Sequence, residues 1–314
     1  MKDIITCKSY QELCDFCYDA PNLDDLPDSG VIHVPMDQIE EFFRRIDGNG
    51  RKYIVVSSCS DFGLCYQREH PVWRDLPKAL QMNLGPHIGY RDIGNIPARC
   101  DKSKCRETDT YSVKCYSWTR ATFDKIPENV VRWYVTNSLV EDTRLRGIPF
   151  GIAPGRGIEF VNIEPSDQRH KLFYANWNLY TYERYILREK LRSNHKITVI
   201  DEAKPYEEYV ADLSEHMFVL CPNGNGVDCY RTLEAIYAGC IPIVEDNITH
   251  HLWIQDEKLP IILCRDFLEF VGRTPNMLMQ IYDGLWSKAD LSRVKLSYWQ
   301  KQLAEERSLL WELP

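Results

Sequence analysis

Residues 217–246 read MFVLCPNGNGVDCYRTLEAIYAGCIPIVED. Met217 to Cys221 is an apolar run suited to a buried strand, and Pro222 ends it. A short loop with Gly224 and Gly226 follows, then a helical stretch from Cys229 to Ala238 and a second apolar run from Ile241 to Val244. Strand, tight loop, helix and strand in this order form a βαβ unit, whose strands run parallel. Asp228 stands where a helix N-cap belongs, because its carboxylate accepts from unpaired first-turn amides.

The same alternation continues on both sides. Lys171 to Ala175, Ile197 to Ile200 and Leu259 to Cys264 read as strands; Tyr182 to Arg192 and Tyr206 to Asp212 read as helices. Upstream, Lys52 to Ser57 and Val130 to Val135 are compact β-branched runs, and Ile148 to Ile152 is a third expected strand. Ser9 to Tyr18 and Met36 to Ile46 have helical spacing. Residues 84–110, rich in Gly, Pro, Arg and Cys, support no assignment. The polar stretch from Asn162 to His170 reads as a linker, dividing an α/β half over 1–165 from another over 166–314. A last, charge-mixed helix is expected from about Asp290 to Leu310.

Of 314 residues, 44% are hydrophobic and 27% charged, which excludes disorder and fibrous repeats. The formal net charge of −8 excludes a general nucleic-acid binder, which needs a basic surface. No run reaches the roughly 18 apolar residues that span a bilayer. The first residues lack an apolar signal core, so a soluble, cytoplasmic protein is expected, or a lumenal one if a leader has been trimmed. In a reducing compartment the 12 cysteines are expected as thiols. Cys14 and Cys17, and Cys100 and Cys105, have spacings a zinc site uses, but neither pair sits in a Gly-containing knuckle. The sequon at Asn247 follows an expected buried strand, a poor place for a glycan.

Ligands of open parallel sheets lie beyond the carboxyl ends of the strands, where the Gly224–Gly226 loop must be. Helix-start amides favour an anion there. Arg231 and Glu234, three apart, share one helical face. Spacing alone leaves two readings open. The pair is either a solvated ion pair on an ordinary βα turn, or a guanidinium for a diphosphate beside a carboxylate for two ribose hydroxyls.

Asn225 to Val244 resembles the signature of exostosin-like glycosyltransferases, roughly Pro-Arg-Gly-Asn-Gly-x-Asp-x-His-Arg-Thr-x-Glu-Ala followed by Gly-Cys-Ile-Pro-Val. Weaker similarity covers Phe173 to Asn178, Glu183–Arg184 and Pro149 to Ile152. The resemblance implies a GT-B architecture: two Rossmann-like domains face each other across a cleft, and a C-terminal helix returns to the first domain. It implies a nucleotide-sugar donor, often a UDP-sugar with xylose among the sugars moved, a glycan acceptor and frequent inversion. Donor contacts then fall on Asn223, Gly224, Asn225, Gly226, Asp228, Tyr230, Arg231 and Glu234. Two positions depart from the pattern: Asn223 replaces an Arg and Tyr230 a His. Arg184 is the expected substitute cation.

An inverting transferase also needs a base on the acceptor side. Asp61, just beyond the Lys52–Ser57 strand, is the candidate, with Glu69 and His70 as rivals. His33 reads as a packed strand residue. Tyr66, Trp73, Trp118 and Trp133 are candidates for a sugar platform, or for core. No Asp-x-Asp motif follows a strand, so neither metal nor other cofactor is expected. Two other classes stay in view. A nicotinamide oxidoreductase is disfavoured because Cys229 stands where the third Gly of G-x-G-x-x-G belongs. A non-catalytic carbohydrate-binding or scaffold protein would keep the fold without the chemistry.

Overall fold

The computed structural model describes residues 3–18, 26–60, 63–66, 120–156, 169–178, 182–202, 204–224, 226–254 and 258–311. Two five-stranded parallel sheets organise them. The first contains β1 (Phe16–Cys17), β2 (Ser29–His33), β3 (Lys52–Ser57), β6 (Val130–Val135) and β7 (Leu145–Gly147), in that spatial order. A separate two-stranded parallel sheet pairs β4 (Gly63–Tyr66) with β5 (Arg120–Phe123). The second large sheet contains β8 (Lys171–Asn176), β9 (Ile197–Ile200), β10 (His216–Cys221), β11 (Ile241–Glu245) and β12 (Ile262–Cys264), ordered β12-β11-β10-β8-β9.

These orders have different consequences. The first sheet is wound in sequence, without a reversal. One of its faces packs on α1 (Ile39–Ile46) through the register row Ile32, Val55 and Trp133, which joins Phe42 and Phe43 in one buried cluster. Helical periodicity and a buried Ile39, Phe42, Phe43 and Ile46 stripe make α1 the cover of that face. The opposite face presents Val31, Ile54, Val56 and Tyr134 to a second cluster, which contains Ile5 and Tyr10 together with Trp299, Leu303 and Leu310 from the chain's end. Alternation along a strand sends neighbours to opposite faces, so both faces need cover.

The second sheet is doubly wound. Between β8 and β10 its strand order reverses, which is the topological switch point of an open α/β sheet. One face packs on α6 (Phe267–Val271) and α7 (Pro275–Trp286) through Phe173, Phe218 and Phe270. The other face carries Tyr174, Val219 and Val244, packed with Val210 and Leu213 of α3 (Tyr206–Glu215) and Leu233 and Ile236 of α4 (Tyr230–Tyr237). α2 (Tyr182–Leu191) links β8 to β9, and α5 (Ile248–Ile254) follows β11.

The last helix, α8 (Leu296–Glu306), lies against the first half. Tyr134 donates to Glu306 at 2.5 Å, Arg132 pairs with Glu306 at 2.9 Å, and Arg307 grips Asp15 with two bonds of 2.8 Å. Two α/β halves with parallel sheets and a returning C-terminal helix are the expected plan. The boundary near 165 falls outside the described residues. No helix among the described residues is long and apolar enough to cross a membrane.

Several local expectations change. Ser9 to Tyr18 is not a helix: a 3-10 turn over Gln11–Leu13 precedes β1, because Asp15 turns outward to accept from Val31 and Arg307. The strand expected at Ile148–Ile152 lies earlier, at β7, and Ile152 forms only a bridge with Thr6. Gly147 faces α5 so closely that a Cβ there would stand 2.5 Å from the Leu252 Cβ. The final helix is broken, with 3-10 turns at Ser292–Val294 and Arg307–Leu310 flanking α8.

Candidate functional site

The C-terminal ends of the two large sheets meet. Asn137, just beyond β6, accepts the Asp228 N–H at 2.7 Å, and Phe150 donates its N–H to the Asp228 Oδ2 at 3.0 Å. The other Asp228 oxygen accepts from Cys229 N–H and Thr232 Oγ1, each at 2.8 Å. Asp228 is therefore not the helix cap expected from its position. Cys229 is the cap residue, with no side-chain bond, and Asp228 is an anchor between the halves, 1% exposed and surrounded by protein donors. Asn137 adopts φ +54 to serve it, and the geometry leaves its carboxylate enclosed rather than aimed at a ligand.

Arg184 of α2 occupies the switch point. Its Nη1 donates to the Asn178 carbonyl after β8 at 3.4 Å. Its Nη2 and Nε donate to the Pro222 and Asn223 carbonyls after β10, at 2.9 and 2.7 Å. The glycine at 224 is explained by this clamp: a Cβ there would stand 2.9 Å from the Arg184 Nη2. Arg184 thus shapes the loop, rather than extending toward a ligand as the substitute-cation expectation required. Burial, then the nearby Arg231 charge, push its pKa down to about 10.

Arg231 differs. Its Nε is buried with no hydrogen-bond partner among the described residues. Its charge opposes that of Arg184, while its own pKa is raised against burial by Tyr209, Cys229, Cys221 and Glu234. Two guanidiniums thus stand near the carboxyl ends of β8 and β10, one of them with a buried donor left unmet among the described residues. A buried unmet donor costs about 1–3 kcal/mol. Glu234, 7% exposed on the next turn of α4, accepts from Tyr206 and Tyr209 at 3.2 and 3.0 Å. Burial raises its pKa against the opposing effects of Arg231 and both tyrosines. The pair is not an ordinary solvated one: Glu234 is buried, the Arg231 Nε is buried on a half-buried residue, and no hydrogen bond or ion pair joins the two among the described residues.

The loop amides are also redirected. Gly224 donates to the Gly226 carbonyl at 2.8 Å, closing a tight turn, so that amide faces inward. Asn223 pairs through its main-chain N–H and Nδ2 with Glu245 at the end of β11, at 3.2 and 2.8 Å, leaving its own Oδ1 buried without a partner among the described residues. Tyr230 stacks on Phe150 with ring centres 4.9 Å apart.

Residues 183–266 match the family model described as the RXYLT1 C-terminal domain. The matched span opens one residue before Arg184 and holds Tyr206, Tyr209, Asn223, Arg231, Glu234 and Glu245. The match covers about a quarter of the chain and does not carry the exostosin-like assignment drawn from the signature. Among solved structures the chain is similar to that titled "Crystal Structure of TarM", with 10% identity, a TM-score of 0.37 and 93% of this chain covered. The chain spans 57% of the length of that one.

Other expectations sort by position. Asp61, Asn225, Glu69, His70, Trp73 and Trp118 lie outside the described residues, as does the Tyr66 side chain. Trp133 is core, packed on Phe43 at 4.9 Å, and its indole donates to Ser57 at 3.1 Å. His33 is buried, as expected of a packed strand residue, and bonds Ser58 Oγ at 3.2 Å. Cys14 donates to the Tyr10 carbonyl at 3.2 Å. No group of three or more His, Cys, Asp or Glu gathers as a metal cage among the described residues. Residues missed from sequence are Tyr206, Tyr209 and Glu245. The i, i+3 spacing of the two tyrosines on α3 was a readable sign that they share a face, but nothing in it indicated that the face meets Glu234.

Proposed function

We propose that this chain is a glycosyltransferase that moves a sugar from a nucleotide-sugar, a UDP-sugar with xylose as the leading sugar, to a carbohydrate hydroxyl. The observation that carries this reading is the orphan Nε of Arg231 beside Arg184, at the switch point of the second sheet. In the proposed complex the diphosphate lies against Arg231, which takes the charge that develops as the sugar–phosphate bond breaks. Arg184 holds the Pro222–Gly224 turn in shape and adds field without direct contact. Glu234, oriented by Tyr206 and Tyr209, has lone pairs left for ribose hydroxyls. Residues 166–314 carry the donor, and residues 1–165 the acceptor.

Asp61, on the segment after β3, is the proposed base. It removes the proton from the acceptor hydroxyl as that oxygen attacks the anomeric carbon, inverting it. Guanidinium charge and helix-start field meet the leaving group, so no metal is part of the proposal. Activity abolished by a chelator and restored by manganese would overturn that part.

Thermal shift against UDP, GDP, UDP-xylose, UDP-glucuronate and NAD tests the donor reading. UDP at about 100 times its Kd adds about 2.7 kcal/mol to stability, a shift of several degrees. A shift with NAD and none with nucleoside diphosphates would defeat the proposal. Asp61→Asn should keep the UDP shift and lose transfer; retained transfer would remove Asp61 from the role. UDP binding without transfer to any glycan tried would favour a non-catalytic binding protein.

A further inference from the structure

Cys7 and Cys59 come from distant parts of the chain, yet their sulfurs stand 3.0 Å apart. A disulfide bond is about 2.05 Å, so closure needs an approach of about 1 Å. Both cysteines sit on backbone held in place. Cys7 donates its N–H to the Ile152 carbonyl at 3.0 Å, and the neighbouring Thr6 bridges Ile152. Cys59, directly after β3 and Ser58, holds φ +62, a left-handed conformation that a side chain seldom adopts unless its surroundings impose it. Cys14, Cys221 and Cys240 instead turn their sulfurs to main-chain carbonyls.

We propose that Cys7 and Cys59 are a disulfide-forming pair, closed when the protein meets a small-molecule disulfide such as oxidised glutathione. Cys59 is the more accessible of the two, Cys7 being 1% exposed. The Cys59 thiolate attacks one sulfur of the small disulfide and releases one thiolate. Cys7, having given its proton to solvent, then attacks the Cys59 sulfur and expels the second thiolate. The two protein thiols lose two protons and two electrons, and the small disulfide leaves as two thiols. Contact with Cys59 and burial raise the Cys7 pKa, and capping Cys59 as a mixed disulfide removes the first of these.

The bond joins the end of β3 to the segment lying along Ile152. The Tyr230 hydroxyl, at the first residue of α4, lies 3.7 Å from the Cys7 sulfur, so the pair borders the donor loop. Closure ties the Ser58–Ser60 segment to the Thr6–Cys7 segment. It also means that the protein's resting form depends on compartment, since such a bond persists only under oxidising conditions. None of this depends on the donor assignment.

The test uses the full chain, incubated in oxidised or reduced glutathione, quenched by acid, alkylated in denaturant and mapped by mass spectrometry without reductant. The expected result is a cross-linked peptide joining Cys7 to Cys59, two fewer alkylated thiols, and reversal by dithiothreitol. In Cys59→Ser the cross-link should vanish and Cys7 should become alkylated. Oxidised wild type should melt higher than reduced, and Cys59→Ser should not. Three outcomes would overturn the proposal: both cysteines alkylated after oxidation, Cys59 carrying glutathione while Cys7 stays unbridged, or either one bridged to a different cysteine.

Discussion

The Arg184 Nη2 lies 2.9 Å from where a Cβ on Gly224 would be. The guanidinium fills the space a side chain would take and spends its donors on the carbonyls of Asn178, Pro222 and Asn223. Shape at the donor loop is thus set by a cation packed against a glycine. Gly224→Ala should displace that cation, weaken UDP binding about tenfold or more, and lower the melting temperature. Isothermal titration and calorimetry on the one variant check both, and unchanged UDP affinity would show that the clamp does not shape the site.

Arg231 should behave as a residue placed for a ligand rather than for the fold. Its orphan Nε is a cost to the empty protein, whereas burial of its charge is outweighed by the neighbouring Tyr209, Cys229, Cys221 and Glu234, which leave the charged form favoured. Arg231→Met should change the melting temperature of the empty protein by no more than a few degrees, removal of the orphan donor offsetting the charge Glu234 loses, while removing the UDP-induced shift. A variant that melts far lower while still binding UDP would reverse this assignment.

His33 supplies a pH dependence. Burial lowers its pKa to about 4 from an ordinary value near 6.5. The folded state therefore binds fewer protons than the unfolded chain between these values. The stabilisation is present above about pH 6.5 and is lost as pH falls toward 4, about 3 kcal/mol in all. Urea unfolding from pH 7 to pH 4 should show a shallower loss of stability in His33→Gln than in wild type.

Trp299 covers the face of the first sheet that, among the described residues, has no α-helix from its own half, meeting Tyr134 edge-on at 6.4 Å. Trp299→Ala should cost about 3–5 kcal/mol. Because that cluster joins both halves, calorimetry should show the whole protein weakened. A selective loss of the C-terminal half alone would contradict the shared core.

Much of this was legible in one dimension. Lys52–Ser57, Val130–Val135 and Ile197–Ile200 are strands with the expected bounds, because contiguous β-branched and aromatic runs suit the parallel strands of an α/β sheet. Of β2, the sequence shows only the strand character around His33 and not its extent, since Val31, Ile32, His33 and Val34 are a short run between Pro- and Asp-rich flanks. The residues of the short strand β1 have helical spacing, and its pairing with β2 comes from the sheet and not from its own residues.

At the site, the residues of the Pro222–Glu234 segment were nominated from their order, but their partners were not. Asp228 looked like a helix cap, and the approach of Asn137 and Phe150 makes it a hinge pin between halves. Arg184 looked like a phosphate cation, and the carbonyls of a turn 38 residues away claim it. Local periodicity and residue type established the strands, the helices and the loop between β10 and α4, because those depend on neighbours in sequence. Which sheet face lay bare, which carboxylate was enclosed and which guanidinium stayed unpaired were decided on folding. Burial and hydrogen-bond partners depend on elements tens to hundreds of residues apart, and no stretch of sequence carries its distant neighbours with it.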